Sequence, residues 1–243
     1  MSELFGSIAE FFRTWGAKLA ETFLEEDRYR LLLTGLGNTL LITLGALCIS
    51  IVIGSLIAVL KYCGEGNRWL KPVCRLCDLY VTVIRGIPVV VVLLIFYFVI
   101  MKSADGITVG IVTFGINSGA YMAELMRGGI NAVDVGQMEA GRSLGLSRVQ
   151  TTVHVILPQA MKNILPAIGN EMIALLKETA VAGYVAVQDL TRAGNLIRNN
   201  TYDAFNPLMV VALTYLALVV GMTALLNWLE RRLHKGAKRS RAA

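Results

Sequence analysis

The chain has 243 residues, of which 55% are hydrophobic and only 16% are charged, and its mean hydropathy is +0.60. A soluble domain carries about a quarter charged residues, so this composition argues against a water-soluble enzyme and a multidomain soluble protein. The high apolar content argues against a disordered chain. The composition therefore indicates an integral membrane protein. The net charge of +6 does not indicate a nucleic-acid partner, since residues 230–243 hold six bases and one acid while residues 1–30 hold six acids and four bases.

Residues 1–28 are predicted to form an amphipathic helix that lies on the outer surface of the membrane. Charged residues such as Glu10 and Lys18 interrupt any continuous span, and no basic start precedes an uncharged apolar run as in a signal peptide. Seven apolar side chains recur at helical spacing: Leu4, Ile8, Phe11, Phe12, Trp15, Leu19 and Phe23.

Five later segments are apolar and long enough to cross a bilayer, which requires about 20 residues. They are residues 31–60, 79–101, 106–126, 164–187 and 204–229. The second segment contains Arg85 and is interrupted by Gly86 and Pro88. The sequence therefore predicts an all-α integral membrane domain of five transmembrane helices over residues 29–229, followed by a basic cytoplasmic tail over residues 230–243.

The charges between the segments predict how the chain is oriented. Loop 61–78 holds four bases and the C-terminal tail holds six, whereas the turn after the second segment holds only Lys102 beside Asp105. Because cytoplasmic loops carry the excess of Lys and Arg, we expect the N-terminus outside and the C-terminus in the cytoplasm. The longest loop, residues 127–162, is then cytoplasmic.

Loop 127–162 is predicted to fold into two short helices. Two residue pairs in it have the spacing of a helix capping box: Asp134 with Gln137, and Ser147 with Gln150. Gly145 lies where a glycine ends the first helix. Pro158 disfavours continuation of the second helix in its original direction.

Several motifs of the chain resemble those of one family of transport proteins. Glu139-Ala140-Gly141, then Gly145, then Ile156-Leu157-Pro158 resemble the signature loop of ATP-binding-cassette importer permeases, although Gly141 replaces an alanine and ten residues separate Gly145 from Ile156. Further runs resemble motifs of the polar amino-acid permeases of the histidine, glutamine and arginine type: Arg85-Gly86-Ile87-Pro88, Tyr121-Met122-Ala123-Glu124, Arg127-Gly128-Gly129-Ile130 and Lys177-Glu178-Thr179. The resemblance covers roughly residues 34–225.

The resemblance implies a type I importer permease fold in a bacterial cytoplasmic membrane, surrounded by lipid. It implies that the five spans form half of a pore completed by a second permease chain, identical or different, and that an extracytoplasmic solute-binding protein delivers the substrate. The signature loop would contact a separate ATPase subunit that binds ATP and Mg. The residues assigned to this coupling are Glu139, Ala140, Gly141 and Gly145, with Leu157 and Pro158 shaping the exit into the fourth span.

The chain itself is predicted to be a transport subunit without catalytic residues, bound cofactor or metal. It contains no G-x-x-x-x-G-K-[ST] phosphate-binding loop. Cys74 and Cys77 form a CxxC without a second pair, which is a weak metal or redox pattern, and we interpret all four cysteines as reduced thiols.

Polar and charged residues inside the spans are the candidates for the substrate path, because they are costly in a membrane unless they serve a function. The candidates are Arg85, Asn170, Glu171, Lys177 and Glu178. Asn170 and Lys177 recur on one helical face, which fits either a wall that binds a zwitterion or a polar clamp between helices. Glu124 and Arg127 are interpreted as a structural pair.

Two alternative functions remain open at this point. One is an importer permease for another small solute, such as methionine or an inorganic anion. The other is an ATP-independent channel or secondary carrier, against which the signature loop argues because such proteins have no ATPase to contact. The sequence leaves open which amino acid is imported and whether the two permease chains are identical.

Overall fold

The structure is a computed structural model that describes residues 2–65 and 67–239, with the side chains of residue 10 and of residues 13–65 and 67–232. The described residues form ten α-helices and no strand. The helices are α1 (Ser2–Leu24), α2 (Tyr29–Gly64), α3 (Lys71–Gly86), α4 (Val89–Ile95), α5 (Gly106–Asn131), α6 (Gly136–Ser143), α7 (Arg148–Thr151), α8 (Leu157–Glu178), α9 (Leu190–Thr201) and α10 (Phe205–Arg239). The predicted all-α class is therefore confirmed.

Three helices are long and apolar enough to cross a membrane, namely α2, α5 and the Phe205–Arg232 part of α10. A fourth candidate combines α3, α4 and the π-helical turn Phe96–Ile100, which are bent by 104° at their break. The segment predicted over residues 79–101, interrupted at Gly86 and Pro88, corresponds to part of this bent unit. The first helix of the unit begins at Lys71 and ends at Gly86, because Pro88 lacks an N–H and holds Ile87 in the extended conformation.

The fourth predicted segment, residues 164–187, also differs from the structure. Helix α8 starts earlier, at Leu157, and ends at Glu178, after which the chain continues as a 3-10 helix over Thr179–Val185. At 22 residues, α8 is about 33 Å long, which is enough to cross the hydrocarbon layer. Helix α10 continues past the predicted span end at residue 229 to Arg239, so the described part of the basic tail is helical.

The packing of α2 against α5 forms the centre of the fold. Ile42 and Ala46 of α2 lie with Phe114 of α5 in the largest buried apolar cluster. Gly54 allows a close approach of the two helices, since a Cβ atom there would lie 2.5 Å from Met122 Cγ. Gly37, on the same helix, faces open space.

The two glycines give a matched test of this packing. We expect Gly54→Val to lower the thermal midpoint of the detergent-solubilised protein, because overpacking a tight contact costs about 1–3 kcal/mol. Gly37→Val makes the same change of helix propensity without a steric conflict, and it should leave the midpoint nearly unchanged. Equal shifts in both proteins, measured by tryptophan fluorescence on heating, would contradict the close α2–α5 contact.

Two helices frame this core on the side opposite the loop 127–162. Helix α9, which was not predicted, buries Leu190, Ala193 and Ile197. Helix α1 is helical where the apolar spacing predicts a helix, and the indole N–H of Trp15 donates a 2.8 Å hydrogen bond to Asn206 Oδ1 at the start of α10. The side chains of residues 1–9, 11 and 12 lie outside the described part, so most of the predicted apolar face of α1 does too.

Candidate functional site

Two short helices in the loop 127–162, α6 and α7, turn sharply at Gly145. Gly145 has a φ of +85°, in the left-handed region that glycine adopts without a steric penalty. Its N–H donates to the carbonyl of Arg142, and the N–H of Leu146 donates to the carbonyl of Gly141. This pair of hydrogen bonds is the Schellman arrangement at a helix C-terminus, and it confirms the predicted helix end.

The two predicted capping boxes have different outcomes. Ser147 Oγ accepts from the N–H of Gln150 at 3.2 Å, and the N–H of Ser147 donates to Gln150 Oε1 at 2.8 Å, so the box at α7 is confirmed. The box at Asp134 is wrong. Helix α6 starts only at Gly136, and Asp134 Oδ1 instead accepts from the N–H of Gly136 at 2.7 Å, which closes a turn before the helix.

Gly141 is the residue that holds α6 against α7. It is buried, and a Cβ atom at this position would overlap the side chain of Thr151. This close contact explains why residue 141 is a glycine, whereas the motif that the loop resembles has an alanine there. Thr151 is itself fully buried, and its hydroxyl donates to the carbonyl of Ser147 at 3.0 Å.

The surface around this helix pair is exposed and unexpectedly apolar. Glu139, Ala140 and Gly145 are exposed to solvent. Three large apolar side chains on the same loop are also exposed, at 75%, 84% and 72%; they are Val135, Leu144 and Val149. We call these six residues the loop face. Exposed apolar clusters on an otherwise charged loop are typical of protein contacts, and the predicted motif had not included the three large side chains.

Helix α7 connects to α8 without a break in helical structure. The π-helical turn Thr152–Ile156 joins them, and the N–H of Leu157 donates to the carbonyl of Thr152. The helical path continues past Pro158, the residue that is predicted to disfavour continuation of the second helix in its original direction. Pro158 lies in the first turn of α8, where a missing N–H is tolerated, and the π turn takes up the irregularity. Leu157 and Pro158 are both exposed.

A second candidate site is a cavity of about 300 Å³ at the break between α3 and α4. Arg85 and Glu178 both line it, together with Asn117 and Tyr121 of α5. The Arg85 guanidinium carbon lies 5.0 Å from the centre of the Tyr121 ring, within the range of a cation–π contact. We call this space the charged cavity.

The other predicted substrate-path residues do not line the charged cavity. Glu171 Oε1 accepts a 2.7 Å hydrogen bond from the hydroxyl of Ser118 on α5, which joins the two helices. Asn170 and Lys177 are exposed on α8. Conversely, the substrate-path candidates did not include Asn117 and Tyr121. The signals for them were that Asn117 is a polar residue inside an apolar segment and that Tyr121 begins the Y-x-A-E motif.

Charged side chains also connect α2, α3 and α5. Arg127 lies 3.0 Å from Glu124, and Lys61 of α2 lies 2.6 Å from Asp78 of α3 and 3.6 Å from Glu124. The structural interpretation of Glu124 and Arg127 is confirmed. Within the described ranges, no three His, Cys, Asp or Glu residues are placed to hold a metal ion.

The chain is similar in sequence to known membrane transport proteins. Residues 50–235 match the family described as "Binding-protein-dependent transport system inner membrane component". The chain is 36% identical over 212 residues to the probable glutamine ABC transporter permease protein GlnM of Bacillus subtilis (strain 168), covering 86% of this chain and 96% of that protein. It is 34% identical over 206 residues to the arginine transport system permease protein ArtQ of the same organism, covering 83% and 92%.

Solved structures show the same fold. A crystal structure of an amino acid ABC transporter with histidines contains a chain that is 40% identical, with a TM-score of 0.79 and coverage of 86% of this chain and 98% of that one. The MetNI methionine ABC transporter gives 24% identity, a TM-score of 0.73 and coverage of 84% and 96%, and this likeness concerns the fold alone. Because the family match spans most of the chain, the protein belongs to the inner membrane components of binding-protein-dependent transport systems, which are the permease subunits of ATP-binding-cassette importers and not enzymes.

Proposed function

We propose that this chain forms part of the translocation path of an ATP-driven importer for polar amino acids in a bacterial cytoplasmic membrane. The observation that carries the proposal is the charged cavity, where the guanidinium group of Arg85 and the carboxyl group of Glu178 line one space of about 300 Å³. A free amino acid carries one carboxylate and one ammonium group, and each needs a partner away from water. Relatives named as glutamine and arginine permeases support this substrate class.

In this proposal Arg85 faces the substrate carboxylate and Glu178 faces its ammonium group. Asn117 offers an amide that donates or accepts, and the Tyr121 ring holds the Arg85 guanidinium from one side. These are side chains from α3, α5 and α8, so a movement of any one helix changes the cavity. Such dependence suits alternating access, in which parts of the transporter rock around a central site.

We further propose that the loop face contacts a separate ATPase subunit, which binds ATP and Mg. The predicted coupling residues Glu139, Ala140 and Gly145 belong to this face. The buried Gly141 would hold α6 against α7, and Leu157 and Pro158 would transmit movement to α8. The support for this proposal is the helical connection between the loop and α8. The helical path from Arg148 to Glu178 has no non-helical break, so a displacement of α7 is carried along about 33 Å of α8 to the charged cavity.

A second permease chain, identical or different, would complete the pore. Much of α10 is apolar and exposed in the single chain, including Leu213, Leu216 and Val220. Lipid or a second chain must cover this surface. Asn170 and Lys177, exposed on α8, are proposed to line the path where the second chain closes it, and Glu171 is proposed to hold α8 in register beside α5.

For the membrane topology, we propose five crossings made by α2, the bent α3–α4 unit, α5, α8 with its 3-10 extension, and α10. The N-terminus lies outside with α1 on the outer surface, where an extracytoplasmic binding protein delivers substrate, and the C-terminus lies in the cytoplasm. The bases of loop 61–78 and of the C-terminal end of α10 support this orientation.

Cysteine labelling tests this topology in a chain whose four native cysteines are replaced by serine. A membrane-impermeant maleimide added to intact cells should label Ser103→Cys and Asn199→Cys, whereas Ser143→Cys should react only after lysis. All three positions are exposed. Labelling of positions 103 and 143 from the same side would contradict a crossing by α5, and labelling of 143 and 199 from the same side would contradict one by α8.

Reconstitution tests the proposed function as a whole. An ATPase subunit should accompany the chain through purification in mild detergent, and liposomes that contain both should accumulate an amino acid only with ATP and a solute-binding protein. Accumulation by the chain alone, without nucleotide, would instead favour a channel or secondary carrier.

A further inference from the structure

A groove of about 410 Å³ lies between the last turn of α2 and the segment that leads from α7 into α8. Its walls are almost entirely apolar, and six of its lining residues are Val59, Tyr62, Val149, Val153, Ile156 and Leu157. Val59 and Val153 are 56% and 48% exposed. We call this space the cytoplasmic groove. It is separate from the charged cavity, with which it shares no lining residue.

The cytoplasmic groove has a polar end and an apolar end. On the segment 148–157, Arg148 is the first lining residue and Leu157 is the last, nine residues further along a continuous helical path, which is roughly 13 Å. On the opposite wall, Val59 lies one helical turn deeper than Cys63 in the last turn of α2. The groove therefore runs from the end of a membrane helix into its apolar part.

Arg148 carries a positive charge that no carboxylate of the described part of the chain neutralises. None of the salt bridges found there includes it, and its guanidinium carbon lies 6.0 Å from the centre of the Tyr62 ring. The Tyr62 hydroxyl is held in turn by Thr152 Oγ1 at 3.0 Å. The Arg148 cation therefore lines an apolar groove beside an aromatic ring whose hydroxyl is itself hydrogen-bonded.

We infer that the cytoplasmic groove binds one anionic phospholipid, with an acyl chain against the apolar walls and the phosphate beside Arg148. A phospholipid of the inner leaflet has the same order of groups, with the charged head towards the cytoplasm and the tail towards the membrane centre. Basic pockets between membrane helices on the cytoplasmic side recognise such headgroups. A lipid bound here contacts both α2 and the segment that joins the loop face to α8.

The test is native mass spectrometry of the full-length chain with phosphatidylglycerol or phosphatidylcholine that carry identical acyl chains. The wild-type protein should retain phosphatidylglycerol with about fivefold higher affinity, the size of effect expected for one interfacial cation. Arg148→Gln should abolish this preference, and Arg148→Lys should keep it. Val153→Trp, which fills the groove, should reduce binding of both lipids.

Two control substitutions separate the groove from the rest of the surface. Arg68→Gln removes an exposed base of the cytoplasmic loop, and Val52→Trp enlarges an exposed residue of α2; neither residue lines the groove, and neither change should alter lipid retention. Equal affinity of the wild-type protein for the two lipids would overturn the inference, as would loss of the preference in Arg148→Lys. If Val153→Trp left lipid binding intact but prevented co-purification of the ATPase, the groove would belong to the ATPase contact instead.

Discussion

Replacing Glu178 with glutamine should lower amino-acid uptake by about tenfold to a hundredfold. Glutamine keeps the size of the side chain but removes the carboxyl group from a cavity that Arg85 also lines. A hydrogen bond to a charged group contributes about 1.5–3 kcal/mol, and each 1.4 kcal/mol is about a factor of ten. Uptake should be measured in liposomes with the ATPase subunit and binding protein present and normalised to the amount of inserted permease.

Three further substitutions define what the result means. Arg85→Gln removes the opposite charge of the same cavity and should give a loss of similar size. Glu65→Gln makes the same chemical change at an exposed residue outside the cavity and should transport normally. Lys177→Met removes a charge that is exposed on α8. It tests whether this face, where we propose that the second chain closes the path, contributes to uptake. Normal uptake by both Glu178→Gln and Arg85→Gln would show that the charged cavity is not part of the substrate path.

The long apolar helices were predictable because their signal is local. Helix α2 was predicted over residues 31–60 and is found over Tyr29–Gly64. The extra turn at its C-terminal end contains Lys61, whose charge is compensated by Asp78 and Glu124 from other helices. A sequence pattern gives the uncharged run correctly, but it does not indicate that a lysine beyond the run has partners in the folded chain.

Helix α9 shows a different limit of the sequence. It is short and polar, so no membrane-span pattern indicates it, yet its start has a readable signal. Asp189 accepts hydrogen bonds from the N–H groups of Thr191 and Arg192, as an N-cap residue does. In the loop 127–162 the capping-box spacing predicted α7 correctly, but it placed the start of α6 too early, because Asp134 has the spacing of a cap.

Two of the residues that line the charged cavity could be predicted from the sequence. Arg85 and Glu178 stood out because charges in apolar segments are rare, and both line the cavity. Lys177 is next to Glu178 in the sequence and was a candidate as well, but neighbouring residues on a helix point about 100° apart. Which of them faces α5 depends on how α8 is rotated, and that rotation depends on contacts such as Ser118 with Glu171, which join residues far apart in sequence.

The loop with Gly145 continues into the other end of α8, and Gly145 is the second position at which we expect a large effect. Gly145→Val should reduce uptake strongly and weaken the stimulation of ATP hydrolysis by the binding protein. Valine at a φ of +85° is strained, because left-handed backbone costs a residue with a Cβ atom about 1–2 kcal/mol or more. The Schellman hydrogen bonds to Arg142 and Gly141 would then be lost, and α6 would no longer be fixed against α7.

Two further glycine variants distinguish a lost turn from a merely bulkier surface. Gly128→Val places the same side chain at an exposed helical glycine with open space around it, and uptake should remain close to normal. Gly145→Asn should retain most of the coupling, because asparagine tolerates the left-handed conformation better than other residues do. Uptake and stimulated ATP hydrolysis would be measured in the same liposomes. If Gly145→Val behaved like Gly128→Val in both assays, the turn between α6 and α7 would have no part in transmitting ATP hydrolysis to α8 and the charged cavity.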